Sequence, residues 1–291
     1  MNILSRISNL FTDKSNTNRK DLLVSLLIMA WVVEARDPYT GGHLWRVSRF
    51  AHRLALELGM SETDAARIAI GGFLHDLGKV GIPDQILNKK DKLSEEEYDV
   101  IRTHPEIGWR MLANHPLAHI AEHAIRFHHE TPDGKGYPTG IRGTDIPVEA
   151  RIVGICDAFD AMTSTRPYRK GMPIEKALSI IESELGRQFD SIIGAKFVAL
   201  GKLGHWNHVV GHTDQGIPLQ VCGMCGPTVV LRKEQQAGEH VYCRSCATEF
   251  VTEQRDEVLG ISPTGRNGRA QDLEPIADLK LIKRLLVGVA I

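Results

Sequence analysis

From Leu22 to Leu200 the apolar residues recur at helical spacing, and no stretch alternates with period two for long. Val47, Phe50, Ala51, Leu54 and Leu58 form one such stripe. Ser61 stands three residues before Asp64, and Ser94 three before Glu97, both in the spacing of a helix-capping box. Pro173 opens a helix over Ile174–Leu185, and Gly186 ends it. The chief irregular insert is Thr131–Pro147, rich in Gly, Pro and Asp. The pattern changes after Leu203. Short β-favouring runs (Thr228–Leu231 and His240–Tyr242) lie between two C-x-x-C pairs, followed by a polar Gly/Pro stretch, Thr252–Gln271, expected to be loose. Pro275 then opens a last helix whose apolar stripe is Ile276, Leu279, Ile282, Leu285, Leu286 and Val289.

These patterns predict an all-α helical bundle with a small β-rich module at its C-terminal side. The expected divisions are an extension over 1–20, a helical domain over 21–203, a linker over 204–220, a cysteine module over 221–250, and a loose segment with an amphipathic helix over 251–291. The longest apolar run, Leu22–Val33, is broken only by Ser25 and falls well short of the ~20 residues that span a bilayer. It reads as a buried helix. The polar N-terminus lacks a signal-peptide core, so a cytoplasmic protein is expected.

Composition narrows the function. The 291 residues are 42% hydrophobic and 24% charged, which is globular usage and excludes wholesale disorder. The net charge of −1 provides no field for general nucleic-acid binding. Five cysteines are too few for a disulfide framework, but 13 histidines are an excess. Seven residues could act together: His43, His75, Asp76, His104, His128, His129 and Asp157. Imidazoles and carboxylates in this proportion suit two divalent ions such as Fe or Mn, a pair able to clamp a phosphodiester and activate water. Neighbours on a helix point ~100° apart, so His75-Asp76 and His128-His129 can each serve both ions. His115, His119 and His123 also share a helical face but read as surface. Cys156 reads as a small core residue, and Glu34, Asp37 and Asp160 as supports of the ligands.

Cys222, Cys225, Cys243 and Cys246 have the spacing of a four-cysteine structural zinc site, resembling a zinc ribbon. A module this short cannot bury enough apolar area alone, so zinc would supply folding energy. Its task is not legible beyond a surface for a protein partner, and catalysis is expected to be separable from it. A homodimer stays open. A nucleic-acid partner and a membrane are disfavoured.

The ordered pieces Ala35-Arg36-Asp37-Pro38-Tyr39-Thr40-Gly41-Gly42-His43, His75-Asp76-Leu77-Gly78-Lys79, His104-Pro105, His128-His129-Glu130, Gly136-Tyr137-Pro138, Asp157-Ala158-Phe159-Asp160 and Arg166-Pro167-Tyr168-Arg169 resemble the HD-GYP branch of the HD phosphohydrolases. The resemblance spans about Leu22–Leu200. It implies that the seven residues ligate a dinuclear centre, with Asp76 the bridging and catalytic carboxylate. It places Lys79 beside phosphate and the bridging hydroxide, Tyr137 in a loop over the substrate, and Arg166 and Arg169 on phosphate or guanine. The implied activity is hydrolysis of cyclic di-GMP to pGpG and/or GMP. Some relatives use a glutamate four residues before the first histidine for a third metal. Tyr39 stands there, so two ions are expected. The alternatives are a cyclic di-GMP receptor with weak turnover, against which the full ligand set argues, and a phosphodiesterase for another cyclic dinucleotide such as cyclic GMP-AMP.

Overall fold

A computed structural model describes residues 3–89, 91–165, 169–256 and 258–289, with side-chain surroundings described from Asn18 onward. The helices are α1 (Ile3–Glu34), α2 (His43–Glu57), α3 (Glu62–Leu74), α4 (Asp84–Leu87), α5 (Glu95–Ile101), α6 (His104–Leu112), α7 (Ala118–Phe127), α8 (Val148–Thr163), α9 (Ile174–Ser183), α10 (Ser191–Lys202) and α11 (Leu279–Leu285). Short strands follow α10: β1 (His212–Asp214), β2 (Ile217–Pro218), β3 (Gln220–Val221), β4 (Thr228–Val229), β5 (His240–Tyr242), β6 (Thr248–Arg255) and β7 (Val258–Asn267). The fold is mostly helical, with small antiparallel sheets at the C-terminal side.

Both predicted caps form, but only one as a reciprocal box. Ser94 and Glu97 close a full capping box on α5, and the Ser61 hydroxyl accepts from Asp64 N at the head of α3. The stripe on α2 is buried against α3 and α8. Its Phe50 joins Phe159 of α8, Phe197 of α10 and Trp206 in an edge-on and stacked aromatic cluster, with ring centroids 4.7–6.3 Å apart.

That cluster corrects the expected linker. Trp206 is 1% exposed and donates its indole N–H to Phe197 O, so 204–220 is folded onto the bundle. Thr252–Gln271 is likewise not loose: β6 and β7 form a long antiparallel hairpin, also paired with β5. Residues spaced for a turn-rich tail instead complete a sheet, because Phe250 and Ile261 bury themselves with Val229, Leu231 and Val241 in a second small core. The last helix starts at Leu279 rather than near Pro275. It buries Leu281 and Ile282 against α1 and α3 and leaves Ile276 and Leu279 exposed. No helix among the described residues is long and apolar enough to cross a membrane.

Candidate metal centre

Helix ends deliver most of the site. His43 is the first residue of α2, His75 and Asp76 follow the end of α3, His104 opens α6, and His128 and His129 follow α7. Asp157 projects from within α8. After Asp76 the chain tightens into a 3₁₀ turn, Leu77–Gly81, which carries Lys79. Gly78 makes this possible: a Cβ there would lie 1.8 Å from His104 O, so only glycine lets this turn pack against the start of α6.

The seven residues converge. His43, His75 and Asp157 form one donor group, and His104, His128 and His129 another. Asp76 lies between them. Its Oδ2 is 3.6 Å from His43 Nε2 and 3.4 Å from His75 Nε2, while its Oδ1 is 3.4 Å from His104 Nε2. Asp157 Oδ1 is 3.4 Å from His43 Nε2. Lys79 Nζ donates to Asp76 Oδ2 at 2.6 Å.

The far ring nitrogens are held from behind. His75 Nδ1 donates to Gly72 O, His104 Nδ1 to Ile101 O, and His128 Nδ1 to Ala124 O and Ile125 O, at 2.7–3.0 Å. His43 Nδ1 instead donates to the Asp160 carboxylate at 2.8 Å. Each such bond fixes a proton on Nδ1 and turns Nε2 into the centre. This is the donor arrangement that a divalent ion needs, and the residues present fit one.

Electrostatics divide the site in the same way. Burial opposes charge on every imidazole. Around His75 it is overcome by Asp76 and Asp157, which raise that imidazole to about 10. On the other side burial prevails, holding His104 down to about 4 and His129 to about 3. Although burial raises both carboxyls, Lys79, His75 and His43 hold Asp76, and His75, His43 and His129 hold Asp157, well below the usual carboxylate range.

Matched against family models, residues 28–193 fit the one described as "HD domain". The chain belongs to the HD domain family, in its HD-GYP branch. It is 39% identical over 189 residues to a cyclic di-GMP phosphodiesterase of Thermotoga maritima, covering 64% of this chain and 51% of that protein. It is 42% identical over 165 residues to the cyclic di-GMP phosphodiesterase response regulator RpfG of Xanthomonas campestris pv. campestris, covering 56% and 43%. It is 36% identical over 191 residues to 3'3'-cGAMP-specific phosphodiesterase 3 of Vibrio cholerae, covering 65% and 41%. The chain thus spans about half the length, or less, of these curated relatives.

Around the HD centre, Tyr137 stacks on His129 with centroids 4.7 Å apart. Its loop is pinned by Glu130, whose carboxylate accepts from Thr139 N, Thr139 Oγ1 and Gly140 N. Arg169 donates to Ala161 O near the end of α8 and is drawn toward that helix end. Arg166 lies outside the described residues. His119 and His123 are on the surface, as expected, and Cys156 is buried in the core with its thiol pushed well up by burial. Glu34 caps α2 by accepting from Leu44 N at 2.8 Å.

Two groups were not singled out from sequence. Arg46, one turn after His43 and 2% exposed, grips both Asp160 oxygens. A basic residue within the apolar stripe of α2 was the available signal. Tyr98 and Arg102 form a cationic and aromatic wall: the Arg102 guanidinium lies 4.5 Å from the Tyr98 ring and 5.8 Å from Tyr137. Tyr98 borders two cavities. One, of about 380 Å³, is lined by His129, Tyr137 and Asp157. The other, of about 710 Å³, is lined by Lys79, Lys89 and Tyr39.

The four cysteine sulfurs also gather, with Cys222–Cys225 at 3.7 Å, Cys225–Cys243 at 3.5 Å and Cys222–Cys246 at 3.7 Å. Such a cluster is compatible with a zinc ion.

Proposed function

We propose that this protein hydrolyses a cyclic dinucleotide, cyclic di-GMP foremost, at a dinuclear centre held by His43, His75, Asp76, His104, His128, His129 and Asp157. The observation that carries the reading is Asp76, whose two oxygens face separate donor groups while Lys79 reaches the same carboxylate. A receptor without turnover would not require that arrangement. The names of the relatives support the substrate class. When bound, two Fe or Mn ions would neutralise one phosphodiester and lower the pKa of water toward neutrality.

The chain's own groups do the rest. Lys79 places an ammonium where phosphate oxygens gain charge and the 3′ oxygen departs. The backing carbonyls and Asp160 hold the imidazoles in one orientation, so little reorganisation is needed. The cavities on either side of Tyr98 offer two lobes for a two-base ligand, with Tyr98, Tyr137 and Arg102 as stacking surfaces. Arg166 and Arg169 are assigned to phosphate or guanine by family resemblance. The product is pGpG and/or GMP.

We read the four cysteines as a structural zinc site within a ribbon that β6 and β7 complete, alongside a catalytic domain onto which 204–220 is folded. The deciding experiment is anaerobic purification, metal analysis and chromatography of products from cyclic di-GMP, with 3'3'-cGAMP in a parallel arm. Expected are two Fe or Mn and one Zn per chain, with turnover abolished by chelator. Faster hydrolysis of 3'3'-cGAMP would reassign the substrate, and tight binding without product would make the protein a receptor.

A further inference from the structure

The loop that delivers His43 is enclosed by the cysteine module. Thr228 N donates to Pro38 O at 2.9 Å, and Thr228 Oγ1 to Tyr39 O at 3.4 Å. Tyr39 turns its hydroxyl to Cys225 O at 3.4 Å. Arg244, between Cys243 and Cys246, donates to Ala35 O at 3.3 Å. Gly41 backs directly onto the module: a Cβ there would sit 2.5 Å from Val230 Cγ2 and 2.8 Å from Thr228 Cγ2. Several of these contacts start from the cysteine knuckles or from the strand between them.

The other side of the loop leads into the HD centre. Arg46 donates from Nη1 to Gly41 O at 3.1 Å and to His212 O at 2.9 Å, and its remaining donors hold Asp160, which holds His43. Arg36, from the same loop, donates to Lys79 O, Val80 O and Ile82 O, bracing the turn that carries Lys79. The module's small core includes Cys222 and Cys243 themselves, so its shape depends on what the sulfurs hold. The His104, His128 and His129 donors stand at the start of α6 and just after α7, and none of the loop hydrogen bonds named above ends on them.

We propose that the four-cysteine site is a clamp on the HD centre: zinc bound there sets the affinity of the His43, His75 and Asp157 side for its divalent ion, acting through the Ala35–Gly42 loop and the positioning residue Arg46. The inference rests on the dinuclear and zinc readings above, but not on the substrate. It revises the expectation that the cysteine module and catalysis are separable. Supporting groups behind a metal-binding histidine typically control 10–100-fold in affinity, which is the effect expected here.

The test uses the full chain, with Zn analysis and Mn(II) titration followed by electron paramagnetic resonance. Val230→Arg should keep one Zn per chain, yet weaken one of the two Mn(II) sites by about 10–100-fold while leaving the other unchanged. Val230→Ile should retain wild-type affinity. Cys246→Ser should lose Zn and show the same one-sided defect. Circular dichroism and melting temperature separate this from collapse of the fold. Two Mn(II) ions bound with wild-type affinity in both Val230→Arg and Cys246→Ser would overturn the clamp. So would equal loss at both sites together with global unfolding. Wild-type protein that binds two Mn(II) ions and shows the one-sided defect in its variants, but does not turn over cyclic di-GMP, would sink the substrate reading and leave the clamp standing.

Discussion

Asp160→Asn removes one negative charge without changing shape. Asp160 is fully buried, accepts from His43 Nδ1 at 2.8 Å, and is gripped by Arg46 through both oxygens. Arg46 and His43 hold its carboxyl well below the usual range even though burial raises it. Two consequences can be sized. The asparagine amide can still bond to the imidazole, but it no longer polarises it or enforces the tautomer. Metal affinity on the His43 side should fall about 10–100-fold, or about 1.4–2.8 kcal/mol. The Arg46 guanidinium also loses its buried counter-charge. Breaking a buried pair costs about 3–5 kcal/mol, and Gly41 O and His212 O, which still accept from Arg46, place this case near about 3. At roughly 2–4 °C per kcal/mol, the metal-free protein should melt roughly 6–12 °C lower. The assays are Mn(II) titration by isothermal calorimetry and a thermal melt in chelator. Unchanged Mn(II) affinity alongside a lowered melting temperature would refute the support argument and leave the Arg46–Asp160 pair a purely structural element.

The other expectations follow from individual contacts. Asp76→Ala should abolish turnover of cyclic di-GMP and lower non-zinc metal content; full activity with normal metal would remove the two-metal mechanism. Gly78→Ala forces a methyl onto His104 O and should cost roughly 1–3 kcal/mol with loosened metal binding; an unchanged melt and metal titration would show that the turn relaxes freely. Tyr98→Ala should raise KM for cyclic di-GMP by roughly five- to 150-fold with metal content intact, since one stacked base is worth about 1–3 kcal/mol; an unaltered KM would remove Tyr98 from the substrate surface. Arg166→Ala should lower kcat/KM by roughly ten- to a hundred-fold, the worth of one charged hydrogen bond, and should cost a small artificial phosphodiester much less. Equal losses on both substrates would deny it a clamping role.

The helical bundle was legible because its cores repeat at helical spacing and its helix starts carry Ser-x-x-Asp/Glu signals that act locally. That the candidate ligand residues belong together was legible for a different reason. His75-Asp76 and His128-His129 are adjacent in sequence, and every piece but Asp157 lies at a helix end or loop with distinctive neighbours. The cysteine cluster was legible because two C-x-x-C knuckles approach one another in few geometries.

What sequence alone left open depends on long-range packing. Thr252–Gln271 has a loop-like composition, yet it pairs as β6 and β7, since a strand's partner and buried face are decided by what packs against it. Trp206 looked like part of a linker until Phe197 and Phe50 enclosed it. Arg46 shows a charge within an apolar stripe, but its partner Asp160 is far along the chain, and no local period connects them. The contact of Thr228 and Val230 with the Pro38–Gly41 loop is of the same kind. Local pattern marks the bundle helices and the residues able to carry chemistry. The tertiary structure alone decides which of them meet, because burial in a shared core is a property of the whole chain's packing.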